Sequence, residues 1–257
     1  MSLAKIFSIV NQKGGVGKTT TAVNLATALA KSKKKVLIVD IDPQGNASTG
    51  MGIAYNERQN TIYDVLIGSY EIKNSIIPTR IKNLKIITST VDLSAIELEL
   101  VNIEGKNFIL KNNLEKIKNE FDYILIDCPP SLGVLTINSL VASDYVLIPM
   151  QCEFFSLEGL SHLLTTLELV KNNLNYQLKI AGIVLTMHDC RNKLTEAVEI
   201  DVRNYLGDKV FKNIVPRNVR LSEAPSYGKP ALIYDPKCQG SIAYKMLAKE
   251  ILAKNFC

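Results

Sequence analysis

A chain of 257 residues is long enough for one large α/β domain with a full core, and no linker divides it. Its 47% hydrophobic content is that of a globular protein; no apolar run approaches the ~18 residues of a membrane span, and the N-terminal one is too short for a signal peptide. Thirty basic against 25 acidic residues leave a net charge of +5, compatible with a polyanion partner without requiring one. Cys128, Cys152, Cys190, Cys238 and Cys257 are scattered with no C-x-x-C pair. They read as reduced thiols of a cytoplasmic protein, not as a metal site or disulfide frame.

In chain order, the apolar run 6–10 reads as a buried strand. It leads into Asn11-Gln12-Lys13-Gly14-Gly15-Val16-Gly17-Lys18-Thr19-Thr20, and then into a helix over 21–30 with Ala22, Leu25, Ala26 and Leu29 on one face. A strand, a glycine turn and a helix start make a phosphate cradle. The backbone N–H groups from Gly14 to Thr20 converge on anionic oxygens, and the helix dipole favours the charge. Lys18 reaches the terminal phosphates of a bound nucleotide and the Thr19 hydroxyl reaches Mg²⁺. The usual G-x-x-x-x-G-K-[ST] pattern has lost its first glycine to Gln12 and gained Lys13. One subunit's cradle already has its lysine, so Lys13 suggests phosphate contact across a dimer interface.

Strand 35–40 comes next. The stretch 46–70 is the least regular, and Gly45, Gly50 and Gly52 suggest a mobile switch segment there. Strands at 84–87, 123–127, 145–149 and 180–185 then alternate with helices at about 107–120, 132–142, 156–172 and 192–206, and a helix at about 239–254 ends the chain. The alternation predicts an α/β fold, a mostly parallel twisted sheet with helices on both faces, in one domain over 1–257; the cradle at 13–20 adds the P-loop NTPase class. Ligands of such sheets bind outside the carboxyl ends of the strands. Asp40 and Asp127 end strands, and Asp42 follows Asp40 by two. One such aspartate is ordinarily a helix cap or turn former. Three beside a phosphate cradle point to Mg²⁺ and to positioning of the attacking water.

Five segments, 13–20, 40–46, 126–132, 153–159 and 216–226, resemble those of the ParA/Soj partitioning ATPases in family order. These belong to a deviant P-loop group that also contains MinD and the nitrogenase iron protein. The resemblance implies an ATP-dependent sandwich homodimer. Lys13 would enter the partner's site, Lys18 and Thr19 would serve their own, and Asp42 would place the hydrolytic water. Asp40 and Asp127 would support the Mg²⁺ shell, Glu153 would touch the nucleotide across the dimer, and Pro216 and Asn218 would meet adenine. Arg191 and Arg220 match positions that meet the phosphates of non-specific DNA, with Lys193, Arg203 and Arg217 as weaker candidates. The resemblance further implies a ParB-like partner, nucleoid association, and the short chromosomal type without an N-terminal DNA-binding extension.

Thr186-Met187-His188-Asp189 stands where related GTPases carry T-K-x-D. Met187 in the lysine place suits packing on a base and favours ATP. His188 reads as a loop histidine, and His162 carries no functional signal. Three rivals follow from the residues. A MinD-like membrane ATPase needs a basic amphipathic tail, which 242–254 resembles while lacking Phe and Trp until Phe256. An iron–sulfur carrier needs interface cysteines such as Cys128 and Cys152. A biosynthetic ligase or amidotransferase needs a substrate pocket for which the sequence gives no sign.

Overall fold

In the computed structural model, residues 3–153, 156–254 and 256 are described; Phe154 and Phe155 of the 153–159 segment, and Cys257, lie outside them. The apolar runs form β1 (Lys5–Ile9), β2 (Val36–Asp40), β3 (Ile77–Pro78), β4 (Leu84–Ile87), β5 (Tyr123–Asp127), β6 (Tyr145–Gln151) and β7 (Lys179–Thr186). They make one sheet in the order β3-β4-β2-β5-β1-β6-β7. Every pairing is parallel except that of the short edge strand β3 with β4. All five residues of β2 and of β5 are buried, as expected where helices cover both faces.

The longer helices are α1 (Lys18–Lys31), α5 (Ile109–Glu115), α6 (Val134–Ala142), α7 (Ser156–Asn173), α8 (Lys193–Leu206) and α11 (Gln239–Ala253). Single turns make up α2 (Asn46–Gly50), α3 (Ile62–Leu66), α4 (Ile96–Glu99), α9 (Val219–Glu223) and α10 (Ala231–Tyr234). Alternation along the strands divides the core. Ile6, Leu37, Val39, Ile124 and Ile126 pack with α3 and α5 to α8, while Phe7, Ile9, Ile38 and Leu125 pack with α1, α10 and α11.

The expected helix at 107–120 is shorter than its pattern. Its start is a tighter turn, Lys106–Phe108, and after Glu115 the bonds contract to Lys116 N–H→Asn113 C=O and Ile117 N–H→Leu114 C=O. The Asn113 side chain meanwhile donates to the Ile109 carbonyl, the competition with the helix ladder that makes asparagine a poor helix former. Strand β6 runs two residues past the proline at which a strand is expected to stop. Pairing with β1 ends at Leu147, so Pro149 has no ladder partner to lose there, and its carbonyl accepts from the Asn11 amide at 2.7 Å.

The apolar side of α11 is consumed by the domain. Ala243, Tyr244, Leu247, Ala248 and Ile251 are buried, the Tyr244 and Thr21 hydroxyls meet at 3.0 Å, and the Phe256 ring rests 4.8 Å from that of Tyr145. A membrane-seeking tail would have to expose this face. Among the described residues no helix is long and apolar enough to cross a membrane.

Candidate functional site

The register of the sheet assembles the site. Ile9 and Asp40 both lie opposite Asp127, so the turn leaving β1 emerges beside two carboxylates at neighbouring strand tips. The helix expected from 21 begins at Lys18, directly after Gly17, which adopts a left-handed φ of 87° that a side chain would strain. No side chain caps this N-terminus, which leaves its first-turn N–H groups for an anion. The chain 13–20 is thus a loop wrapped around a helix start whose first turn no side chain caps, while the Lys13 N–H ahead of it donates to the Asn11 side-chain oxygen at 3.0 Å.

The two lysines of the loop are placed differently. Lys18 is buried and donates from Nζ to the Lys13 carbonyl at 3.0 Å. Burial lowers its pKa, against which the nearby Asp127 and Asp42 carboxyl groups work. Lys13 is 42% exposed and its ammonium is ion-paired with Glu153, itself 49% exposed. One cation faces the cradle and the other faces outward.

Asp127 is fully buried, and neither of its carboxylate oxygens has a well-formed hydrogen bond from the protein. Burial first, and the neighbouring Asp40 second, push its pKa well above the carboxylate range, although the Thr19 hydroxyl lies close enough to work against the rise. A buried carboxylate without a partner beside a hydroxyl is an oxygen donor set suited to a hard cation. Among the described residues no three His, Cys, Asp or Glu converge on one point, so side chains alone would not complete such a shell. Asp42, 7% exposed, accepts from the Gln44 N–H at 3.0 Å and holds the turn beyond β2.

Asp40 is engaged elsewhere. One of its oxygens accepts from the Ser48 N–H at 2.8 Å and the Ser48 hydroxyl at 2.6 Å, and the other from the Asp42 N–H at 3.3 Å. It anchors α2 and the Asp42 turn. Burial raises its pKa to about 6 despite those hydrogen bonds. Below an ordinary carboxylate pKa of about 4 both folded and unfolded states hold this proton, and nothing is lost. As pH rises the unfolded chain releases it first, so stability falls and the full penalty, about 3 kcal/mol, stands above about pH 6. The ligand-free protein is therefore expected to melt higher at pH 5.5 than at pH 8. Ser48→Ala removes a hydrogen bond that holds the carboxylate down and should widen the gap; melting curves at both pH values check the sign.

The other wall comes from β6 and β7. Gln151 Nε2 donates to the Gly15 carbonyl at 3.2 Å and to Met187 Sδ at 2.6 Å, and the Thr186 hydroxyl donates to the Val16 carbonyl at 2.7 Å. Met187 sits at φ 50°, a left-handed conformation rare for a long side chain and a mark of a constrained loop. His188 N–H→Val215 C=O and Arg217 N–H→His188 C=O bring Pro216 beside it. Asn218 caps α9 through its side-chain oxygen. A cavity of about 260 Å³ borders Thr19 and Thr20, walled by Asn46, Thr49, Leu221, Ala224 and Pro225. Pro216 and Asn218, the residues expected to meet the base, are not among the residues that line it.

Comparison with known proteins decides the class. A family model described as an AAA domain matches residues 4–180. The chain is 52% identical over 251 residues to the sporulation initiation inhibitor protein Soj of Bacillus subtilis strain 168, covering 98% of this chain and 99% of that one. To the chromosome partitioning protein ParA of Caulobacter vibrioides strain NA1000 / CB15N it is 51% identical over 252 residues, covering 97% and 94%. The chain belongs to the ParA/Soj family.

A solved structure of cobyrinic acid a,c-diamide synthase from Mycobacterium smegmatis with bound ADP and magnesium superposes with a TM-score of 0.86 at 32% identity, covering 97% of this chain and 94% of that one. The biosynthetic rival thus shares the fold, while sequence kinship is far higher with the partitioning proteins. Within the ParA/Soj family, this member is a P-loop ATPase with a mostly parallel seven-stranded sheet.

The remaining expected residues fall outside the cradle. Arg191 is 85% exposed and clasps Asp189 through Nε at 2.9 Å and Nη2 at 2.8 Å, which holds that carboxyl well below its usual range. Arg220 pairs with Glu223 at 2.8 Å and with Asp235 at 3.6 Å. His188 Nε2 lies 2.8 Å from Glu199, which also pairs with Arg203, so it is a packed loop histidine. Cys128 and Cys152 are buried, and burial pushes their thiols up to about 12 and about 11, far from the thiolate a cluster ligand needs.

Beyond Asp42 a second contact organises this ATPase. Gly52 (φ 80°) and Gly228 (φ 59°) meet backbone to backbone: a Cβ on Gly52 would lie 2.6 Å from the Gly228 carbonyl oxygen, and one on Gly228 would lie 2.8 Å from Gly52 Cα. Arg58 braces the same segment, donating to the Ser89 carbonyl at 3.0 Å and the Thr49 hydroxyl at 2.7 Å. The stretch 46–70, expected to be irregular, is thus a chain of short helical turns tied to its surroundings.

Proposed function

We propose that this ATPase is a dimerising switch that binds ATP and Mg²⁺, holds DNA without sequence preference when paired, and hydrolyses ATP with a ParB-like partner to drive chromosome or plasmid partitioning. The observation that carries the reading is the division of labour between the lysines: Lys18 is buried over the cradle while Lys13 points outward to Glu153. Lys18 and the backbone of Gly14 to Thr20 hold the phosphates. The Thr19 hydroxyl, with Asp127 and Asp42 nearby, would hold Mg²⁺, which would supply positive charge to the phosphate oxygens. Asp42 orients the attacking water, and Met187, Pro216 and Asn218 bound the base.

Lys13 leaves Glu153 to reach the nucleotide of the second subunit, and Glu153 reaches across in the same way. Arg191 and Arg220 face phosphates once two copies pair. The partner protein raises a slow basal turnover by completing an arrangement that the resting dimer leaves unfinished. Lys13→Ala is expected to retain ATP binding yet elute as a monomer on a sizing column with ATP and Mg²⁺, where wild type elutes as a dimer. Dimerisation of the variant equal to wild type would overturn the assignment of Lys13 to the neighbouring site.

A further inference from the structure

We infer that the end of the sheet opposite the nucleotide carries a second polyanion-binding surface, which takes the phosphodiester backbone of DNA. The inference rests on the reading of DNA as this ATPase's polyanion. Register carries the geometry. Val36 and Leu37 of β2 lie beside Leu84 and Lys85 of β4, so the loops entering these strands run side by side at the N-terminal ends, away from Asp40 and Asp127. Those loops hold Lys33, Lys34, Lys35, Arg80 and Lys82, with Lys85 one residue into β4. Between them opens a cleft of about 820 Å³, lined by Lys35, Lys82 and Lys85 together with Thr79, Asn83 and Phe121.

The frame is fixed. Both loops turn through left-handed residues, Lys33 at φ 66° and Asn83 at φ 67°, and the Val36 N–H donates to the Asn83 carbonyl at 2.9 Å. The Lys85 ammonium lies 6.0 Å from the centre of the Phe121 ring, which supports its stem.

Charge decides the occupant. Among the described residues no carboxylate lies within ion-pair distance of any of these six cations. Glu120 lines the cleft but pairs with Lys73 at 3.8 Å, and Asp122 accepts from the Lys35 N–H at 2.7 Å. Arg191 and Arg220, by contrast, are already neutralised by their own acids. A cation without an internal partner meets a phosphate without first breaking an ion pair, and the contact releases counterions from the nucleic acid. The six unpaired cations therefore add a share of DNA affinity to that of the two arginines, which must first give up their own acids. Because this end is remote from the cradle, that share is independent of ATP.

The test is fluorescence anisotropy on a random-sequence duplex over a salt series, with nucleotide-free protein and with ATP. Nucleotide-free wild type should bind weakly, with a steep salt dependence. Lys82→Gln/Lys85→Gln and Lys33→Gln/Lys34→Gln should each flatten the log–log slope by about 2, while the corresponding Lys→Arg pairs keep it. Lys111→Gln/Lys171→Gln, which removes the same charge from two other helices, should change little. ATP binding by each variant reports its fold. Unchanged slopes in both cluster variants, an equal loss in the Lys111/Lys171 pair, or competition by poly-glutamate as effective as by duplex would overturn the inference. Wild type that binds duplex in neither state would instead overturn the DNA reading itself.

Discussion

Lys18→Ala is expected to weaken ATP binding by about a hundredfold or more, as isothermal titration would measure. A buried ammonium on phosphate oxygens makes charge-assisted bonds in a poorly solvated site, and losing one of them costs roughly 3 kcal/mol. Lys18 is 7% exposed and its Nζ is held against the Lys13 carbonyl, so the cation is positioned before any ligand arrives. Its removal acts on the empty protein as well. Asp127 loses the opposing charge that restrains its rise, so that carboxyl moves further toward its protonated form. Lys18→Arg keeps the charge in a space fitted to an ammonium and should rescue binding poorly. Near-wild-type affinity in Lys18→Ala would remove this loop from the phosphate site.

The second large effect belongs to Asp42. Asp42→Ala should reduce ATP turnover by about a hundred- to ten-thousandfold, the range spanned by groups that position or deprotonate a nucleophile. ATP affinity should change only a few-fold, because water placement matters in the transition state and not in the bound ground state. Variant protein should therefore accumulate as dimer on a sizing column with ATP and Mg²⁺. A variant that binds ATP but never dimerises would make Asp42 a support for the turn it closes through the Gln44 N–H.

The site was legible where chemistry demands residues in sequence order. The loop 13–20 and the aspartates ending β2 and β5 stand at fixed offsets from apolar runs, and runs buried on both faces are hard to misread. Residues that act through tertiary contact left no such trace. Gln151 reaches Gly15 and Met187 from the end of β6, and nothing near it in sequence marks it. Ser48 sits eight residues after Asp40 and meets it only because α2 folds back over the strand tip. The single-turn helices α9 and α10 were missed because segments so short have no periodicity to detect. β3 is two residues with a proline, below what a strand pattern can carry. Arg191 and Arg220 were found by likeness to relatives, and likeness carried no information about the acids that hold them.

The meeting of Gly52 with Gly228 has a mechanical consequence. Contacts between side chains have play, because rotamers turn to absorb a displacement before it reaches the main chain. Two main chains in van der Waals contact have none. The segment leaving Asp42 through α2 and the segment leaving α9 through Gly228 therefore work as meshed gears. A shift of either segment toward the other meets main chain at once, and a methyl group at either glycine would hold them apart.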